Sequence, residues 1–187
     1  MKILLILILI DIFELTSLPA WDANAKFSQN DLHILEERSI IRGYYKDVAS
    51  QSNGAIISSA RANIFARPSI DNSPLRNSIY FTDAVAPGHV YFALHQSLIV
   101  EFLQAYEINK IRYWMVDVDA RVTTMQIYIV GSDRQTETLI LDDFVQPGVH
   151  TLKFPDQLVS KIRFYNKGGN TINSFMALIK IQAYYAF

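Results

Sequence analysis

Two kinds of hydrophobic spacing divide the chain. From Ser28 to Tyr45, Leu32, Leu35 and the Ile40/Ile41 pair recur at roughly helical intervals, the period that gathers apolar side chains on one face of an α-helix. Ser28 with Asp31 three residues on resembles an N-terminal capping arrangement, and Gly43 offers a C-terminal stop. One helix of about three to four turns is expected there. Beyond Gly54 the period changes to alternating or continuous apolar runs rich in Ile, Val, Tyr and Phe, each bounded by Gly, Pro, Asn, Asp or Ser, which is the pattern of strands. These runs place strands near Ala55–Ser58, Asn63–Ala66, Ile79–Thr82, Val90–His95, Ser97–Leu103, Lys110–Val118, Thr124–Val130, Thr138–Leu141, Val149–Phe154, Lys161–Tyr165 and Met176–Tyr185.

Several of these strands alternate cleanly. In Met125–Val130 and Leu178–Tyr184 one face is apolar and the other carries Gln, Lys or Tyr, so the sheet has a dry side and a wet side there. Ala86-Pro87-Gly88, Gln146-Pro147-Gly148 and Lys167-Gly168-Gly169-Asn170 sit between strand runs and read as turns. Leu98–Leu103 and Ile108–Val116, joined by Gln104–Glu107, read as a hairpin. Many short strands with no second long helix predict a mainly β protein, an antiparallel sandwich or jelly roll, rather than a βαβ fold.

Composition bounds the picture without redirecting it. The 187 residues are 50% hydrophobic and 19% charged, with 17 basic against 18 acidic side chains, enough core for one domain and no electrostatic pull toward nucleic acid. No basic stripe longer than isolated Lys and Arg stands in the sequence. The absence of cysteine excludes disulfides, thiolate metal sites and cysteine nucleophiles. The leader, Met1-Lys2 followed by the aliphatic run Ile3–Ile10, admits two readings. One is a secretory signal cleaved after Ala20 or Ala25, leaving a secreted protein; the other is a retained apolar tail that docks on a partner. The run is too short to span a bilayer, and Asp11 and Glu14 would lie at membrane depth, so membrane contact requires a leader retained and inserted.

Catalytic and cofactor motifs are missing. There is no phosphate-binding glycine loop, no Gly-x-Ser-x-Gly elbow, and His33, His89, His95 and His150 lack metal-ligand spacing; each reads as a surface or strand-face residue. The acids Asp142-Asp143, Asp117/Asp119 and Asp31/Glu36/Glu37 have plain readings as turn, strand-edge and helix-surface residues. Neither an enzyme nor a bound cofactor or metal is expected.

The informative stretch runs from Ser97 through Asp117-Val-Asp-Ala-Arg121, then Met125–Asp133, His150–Phe154 and Ser160–Tyr165. It resembles the discoidin, or coagulation-factor type C, domain of the galactose-binding-like jelly rolls. The nearest variant is that at the C-terminal end of certain BTB/POZ proteins, where a strand ending in an aromatic is followed by Asp-x-Asp-x-Arg. Ser69–Asn72 with Ile79-Tyr80-Phe81 is similar to the family's Asp-Gly turn and following aromatic. The resemblance implies a discoidin-like β-sandwich over 54–187, preceded by the helix over 28–46 and the leader or N-terminal extension over 1–27 that the residue pattern gives. Many relatives bind a structural calcium near this turn and a glutamate of the last strand; here that strand ends Ile181-Gln182-Ala183-Tyr184-Tyr185 without an acid, so no calcium site is expected. The bracketing disulfide of extracellular members is also absent, which favours the intracellular branch.

Two functions follow. The first is a non-catalytic scaffold subunit of a larger intracellular assembly, cytoskeletal or organellar, with protein partners and no nucleic acid. The alternative is a secreted or surface lectin-like module that binds carbohydrate through loops at one end of the sandwich. The polar candidates for ligand contact are Arg67, Asp71, Asp119, Arg121, Lys167 and Asn170, with Phe175 or Tyr80 as an aromatic platform or as core. Asp119 and Arg121 also read as a pair that braces its own loop.

Overall fold

The computed structural model describes residues 28–59, 62–64, 73–77 and 88–187, with 62–64 as backbone. Contacts separate the chain into two units, 1–35 and 36–187. The helix α1 spans Gln29–Ile41. Its start is a reciprocal cap: the Ser28 Oγ accepts from the Asp31 amide at 3.1 Å, while the Asp31 carboxylate accepts from the Ser28 amide at 3.1 Å and hydroxyl at 2.8 Å. After it the chain turns at Gly43, whose φ is +59°, a conformation that glycine adopts without steric cost.

Among the described residues eight antiparallel strands follow: β1 Ile56–Ile57, β2 Ala62–Ile64, β3 His89–Phe92, β4 Ser97–Met115, β5 Thr123–Gly131, β6 Glu137–Val145, β7 Gly148–Asn170 and β8 Met176–Tyr184. They form one curled sheet in the order β2-β3-β8-β4-β7-β5-β6, with β1 paired to β4. The expected strand at Ile79–Thr82 lies outside the described residues.

Two pairs of expected strands are single strands. Ser97–Leu103 and Lys110–Val118 as far as Met115 belong to β4, which pairs with β7 on both sides of Gln104–Glu107. There is no hairpin; between Glu101 and Tyr106 the register slips, four residues of β4 facing one of β7, and the strand bends through a wide bulge instead of reversing. Val149–Phe154 and Lys161–Tyr165 likewise belong to β7. Pro155, which cannot donate to a ladder, falls in its second register slip, between the pairs Lys110–Lys153 and Ile108–Gln157. The Lys167–Asn170 segment is the extended end of β7, and the turn comes one step later, at Thr171–Ser174. Strand β6 is joined to β7 by Gln146-Pro147 but, among the described residues, pairs only with β5, so that short connection skips β5 in the sheet order.

Register places the core. Phe164 of β7 stands opposite Leu98 of β4 on one side and Ile127 of β5 on the other, and Ile162 stands between Val100 and Ile129 in the same way. All six are buried. Each such side chain contributes roughly 1.5–3 kcal/mol by leaving water, which fixes which face of the three strands turns inward. A smaller buried cluster, Trp114, Val116, Ala177 and Ile179 with Tyr91 against it, lies apart from this core.

The segment before β1 is laced to the end of β8. The Val48 amide donates to the Ala183 carbonyl at 2.8 Å, and the Asp47 Oδ1 accepts from the Ala183 amide at 2.9 Å and the Ala49 amide at 3.0 Å. Val48 and Ala49 thereby enter the core.

Candidate binding site

Three separate stretches of chain deliver polar and aromatic side chains to one hollow of about 290 Å³, lined by His89, Tyr91, Arg121, Asn173, Phe175 and Ala177. His89 and Tyr91 come from β3, Arg121 from the β4–β5 connection, and Asn173 and Phe175 from the turn between β7 and β8. The volume is at the small end of ligand pockets.

Arg121 is positioned by Asp119. Its Nε donates to the Asp119 Oδ1 at 2.6 Å and its Nη2 to Oδ2, while the Arg121 amide donates to Oδ1 at 3.1 Å. This forked pairing holds the Asp119 carboxyl below its ordinary range through the guanidinium hydrogen bonds, and raises the Arg121 pKa for the same reason. The guanidinium is thus neutralised and aimed, with Nη1 left to donate.

Asn170 shapes the facing turn. Its Oδ1 accepts from the amides of Ile172 at 2.8 Å and Asn173 at 2.9 Å, and its Nδ2 donates to the Asn173 Oδ1 at 2.9 Å and the Phe175 carbonyl at 2.6 Å. The Asn173 Oδ1 also accepts from the Phe175 amide at 3.0 Å. These bonds consume the Asn173 oxygen and leave its Nδ2 without a partner among the described residues. Gly169, at φ +72°, is required beneath: a Cβ there would meet the Asn173 carbonyl oxygen and the Ser174 Cα at 2.8 Å. Phe175, 38% exposed, meets Tyr91 edge-on with ring centroids 5.0 Å apart, a favourable aromatic geometry that fixes the ring at the pocket wall.

His89 supplies the remaining polar group. Its Nδ1 is buried without a hydrogen-bond partner among the described residues. Burial first, then the positive charges of Arg121 and Arg76, pushes its pKa below the ordinary histidine value. At neutral pH it is therefore an uncharged imidazole with one donor and one acceptor.

Of the residues singled out from sequence, Arg121 and Phe175 line this hollow, Asp119 holds Arg121 there, and Asn170 braces its wall without lining it. Lys167 goes elsewhere: its Nζ donates to both Asp142 oxygens at 2.7 and 2.8 Å, tying β7 to β6 across β5. Arg67, Asp71 and Tyr80 lie outside the described residues. Sequence reasoning missed His89 and Tyr91, whose neighbours in the hollow are far away along the chain, and Asn173, whose bonds to Asn170 and Phe175 lie within its own turn. The only signal was His89 after Pro87-Gly88, a turn emptying into a strand.

No family model matches the sequence, and no curated protein matches it. Solved structures do. A family 32 carbohydrate-binding module of Clostridium perfringens NanJ, in complex with galactose, superposes with a TM-score of 0.52 at 16% identity, covering 74% of this chain and 98% of that one. A mutant form of chitosan-binding module 1 of a Paenibacillus sp. IK-5 chitosanase/glucanase gives 0.51 at 11% identity, covering 75% and 98%. The fold is a galactose-binding-like β-sandwich. Within that galactose-binding-like frame the hollow opens where β3 starts, where β4 has ended and where β8 starts, so its six residues are held by strand ends and two short connections.

Proposed function

We propose that this protein is a non-catalytic carbohydrate-binding module that takes a neutral sugar in the hollow between His89, Arg121, Asn173 and Phe175. The observation that carries the reading is the convergence of a neutral imidazole, a carboxylate-locked guanidinium, a side-chain amide with a spare NH₂ and an aromatic ring on one small depression. Sugar hydroxyls need paired donors and acceptors, and the apolar face of a pyranose needs a ring to lie against. The charge of Arg121 is matched by Asp119 and His89 is uncharged, so nothing in the hollow calls for an anionic ligand. The galactose bound by a module of the same fold gives the ligand class to try first.

This favours the lectin-like alternative over the scaffold reading, which rests on the terminal segments alone. The finer kinship with the discoidin domains of BTB/POZ proteins rests on the Asp117–Arg121 motif and its flanking strands.

The test is calorimetry and a glycan array of neutral mono- and oligosaccharides with wild type, Arg121→Ala and Phe175→Ala. Binding by the wild type that both variants lose while keeping their melting behaviour supports the reading. A wild type that binds no neutral glycan, or variants that bind as well as it does, overturns it.

A further inference from the structure

We propose that the outward face of β4, β7 and β8 around Lys110 is a second binding surface, and that its ligand is an acidic polysaccharide carrying carboxylate or sulfate groups. This rests on the strand face alone and stands whether or not the hollow takes a sugar.

Register builds the surface. Lys110 of β4 is directly opposite Lys153 of β7 and Tyr184 of β8, and Arg112, two residues on, is directly opposite Thr151 and Gln182. Residues opposite one another in antiparallel strands share a face, as do i and i+2 along one strand. Three cations, a hydroxyl, an amide and a phenol ring therefore share one face of the sheet. Lys153, Arg112 and Thr151 are exposed. In sequence, Lys153 is far from the other two, so no basic stripe is visible before folding.

The cations are not neutralised from within. Arg42, Arg121, Lys161, Arg163 and Lys167 each have a carboxylate within ion-pair distance. Among the described residues Lys110, Arg112 and Lys153 have none, although the chain is slightly acidic overall. The acid on this part of β7, Asp156, already accepts from the Asn109 Nδ2 and the Tyr185 hydroxyl, both at 3.0 Å. Two like charges placed directly opposite on a sheet repel, an arrangement relieved by an external anion.

Neighbouring groups select the kind of anion. The Lys110 Nζ lies 5.1 Å from the Tyr184 ring centre and the Arg112 guanidinium 4.8 Å from that of Trp114, so the charged heads are rested on rings and held in place. Trp114 is buried and the Tyr184 ring has an ammonium near it, which leaves no open ring for a nucleobase to stack on. Val149, opposite Trp114, is the one exposed apolar side chain among the register partners named here, too little to enter a bilayer. Thr151 and Gln182 offer hydroxyl and amide groups suited to sugar hydroxyls between the anionic ones. A linear acidic glycan lying across the strands satisfies all of these.

The full chain is titrated by calorimetry with heparin and with alginate, using dextran as the neutral control, at about 50 and about 200 mM salt. The variants are Lys110→Gln/Arg112→Gln/Lys153→Gln together and, separately, Arg121→Ala. The proposal expects binding to at least one acidic polymer and none to dextran on this face, weakening with salt, and roughly tenfold or greater loss in the triple variant. Arg121→Ala should bind the acidic polymer like wild type, which separates this surface from the hollow. Because all three substitutions lie on the outward sheet surface and relieve a repulsion, a melting temperature no lower than that of wild type confirms that loss of binding is not loss of fold. Absence of binding at the lower salt, or equal binding by the triple variant, overturns the proposal. Tighter binding to phosphatidylserine vesicles or to single-stranded oligonucleotide than to either glycan overturns the ligand class.

Discussion

The side-chain amide of Asn170 donates to the carbonyl oxygen of Phe175 at 2.6 Å. One residue at the end of β7 thereby fixes the backbone of the residue whose ring walls the hollow. Asn170→Ala removes four hydrogen bonds from the β7–β8 turn at once. Because the turn is exposed, the stability cost should be only about 1 kcal/mol, while sugar affinity falls roughly tenfold as Phe175 and Asn173 lose their fixed placement. Calorimetry paired with thermal melts distinguishes the two effects.

Arg121→Lys keeps the charge and removes the fork. A single ammonium cannot donate through two planar nitrogens to Asp119 and still present a third to a ligand. Affinity for the neutral sugar should drop about tenfold or more, with the melting temperature within a few degrees of wild type. Asp119→Asn should produce a similar loss by releasing Arg121 from its orientation, and both are read by titration against the best glycan from the array.

His89 gives stability a pH dependence with a definite sign. Its folded pKa lies below the unfolded value, which is about 6.5. As pH falls below that value the unfolded chain takes up a proton that the native state refuses, so this contribution to stability is present at neutral pH and is lost as pH falls toward the folded pKa. Comparing melts at about pH 7.5 and about pH 5, the wild type should lose more than His89→Gln. Equal losses in the two proteins would show that the imidazole does not carry the effect.

Asp47 joins the entry of the sandwich to its last strand. Burial pushes its carboxyl up, and the amides of Ala183 and Ala49 pull it back. Asp47→Ala leaves both amides without their acceptor and should cost about 1–3 kcal/mol. Asp47→Asn keeps an acceptor oxygen and should cost less. Denaturant unfolding of the two variants checks the order.

Lys153→Glu replaces a repelling cross-strand pair with an attracting one opposite Lys110. A gain of up to about 1 kcal/mol is expected, seen as a higher melting temperature that shrinks with added salt, together with weaker binding to heparin.

Strand existence was legible wherever the alternation was clean, as in Met125–Val130 and Leu178–Tyr184, because one buried face forces a period of two. Strand continuity was not. Gln104-Ala105-Tyr106-Glu107 has the polarity of a turn, yet β4 runs on because β7 pairs with it on both sides, a non-local fact that no local window holds. The site divides along the same line. Asp119 and Arg121 are two residues apart and visible as a pair in the sequence, whereas His89 and Tyr91 come beside Phe175 only because β3 is hydrogen-bonded to β8.

The lacing of Val48 to Ala183 has a consequence for how such a unit can be carried. Backbone enters and leaves the sandwich through two hydrogen-bonded neighbours, so the unit needs only a single gap in the chain of another protein. Ala177, at the floor of the hollow, is six residues back along β8 from Ala183, about 20 Å at the rise of a strand. Spliced into a surface loop of a carrier, the sandwich would hold its hollow that far along β8 from the stem, and swapping carriers should leave sugar affinity untouched.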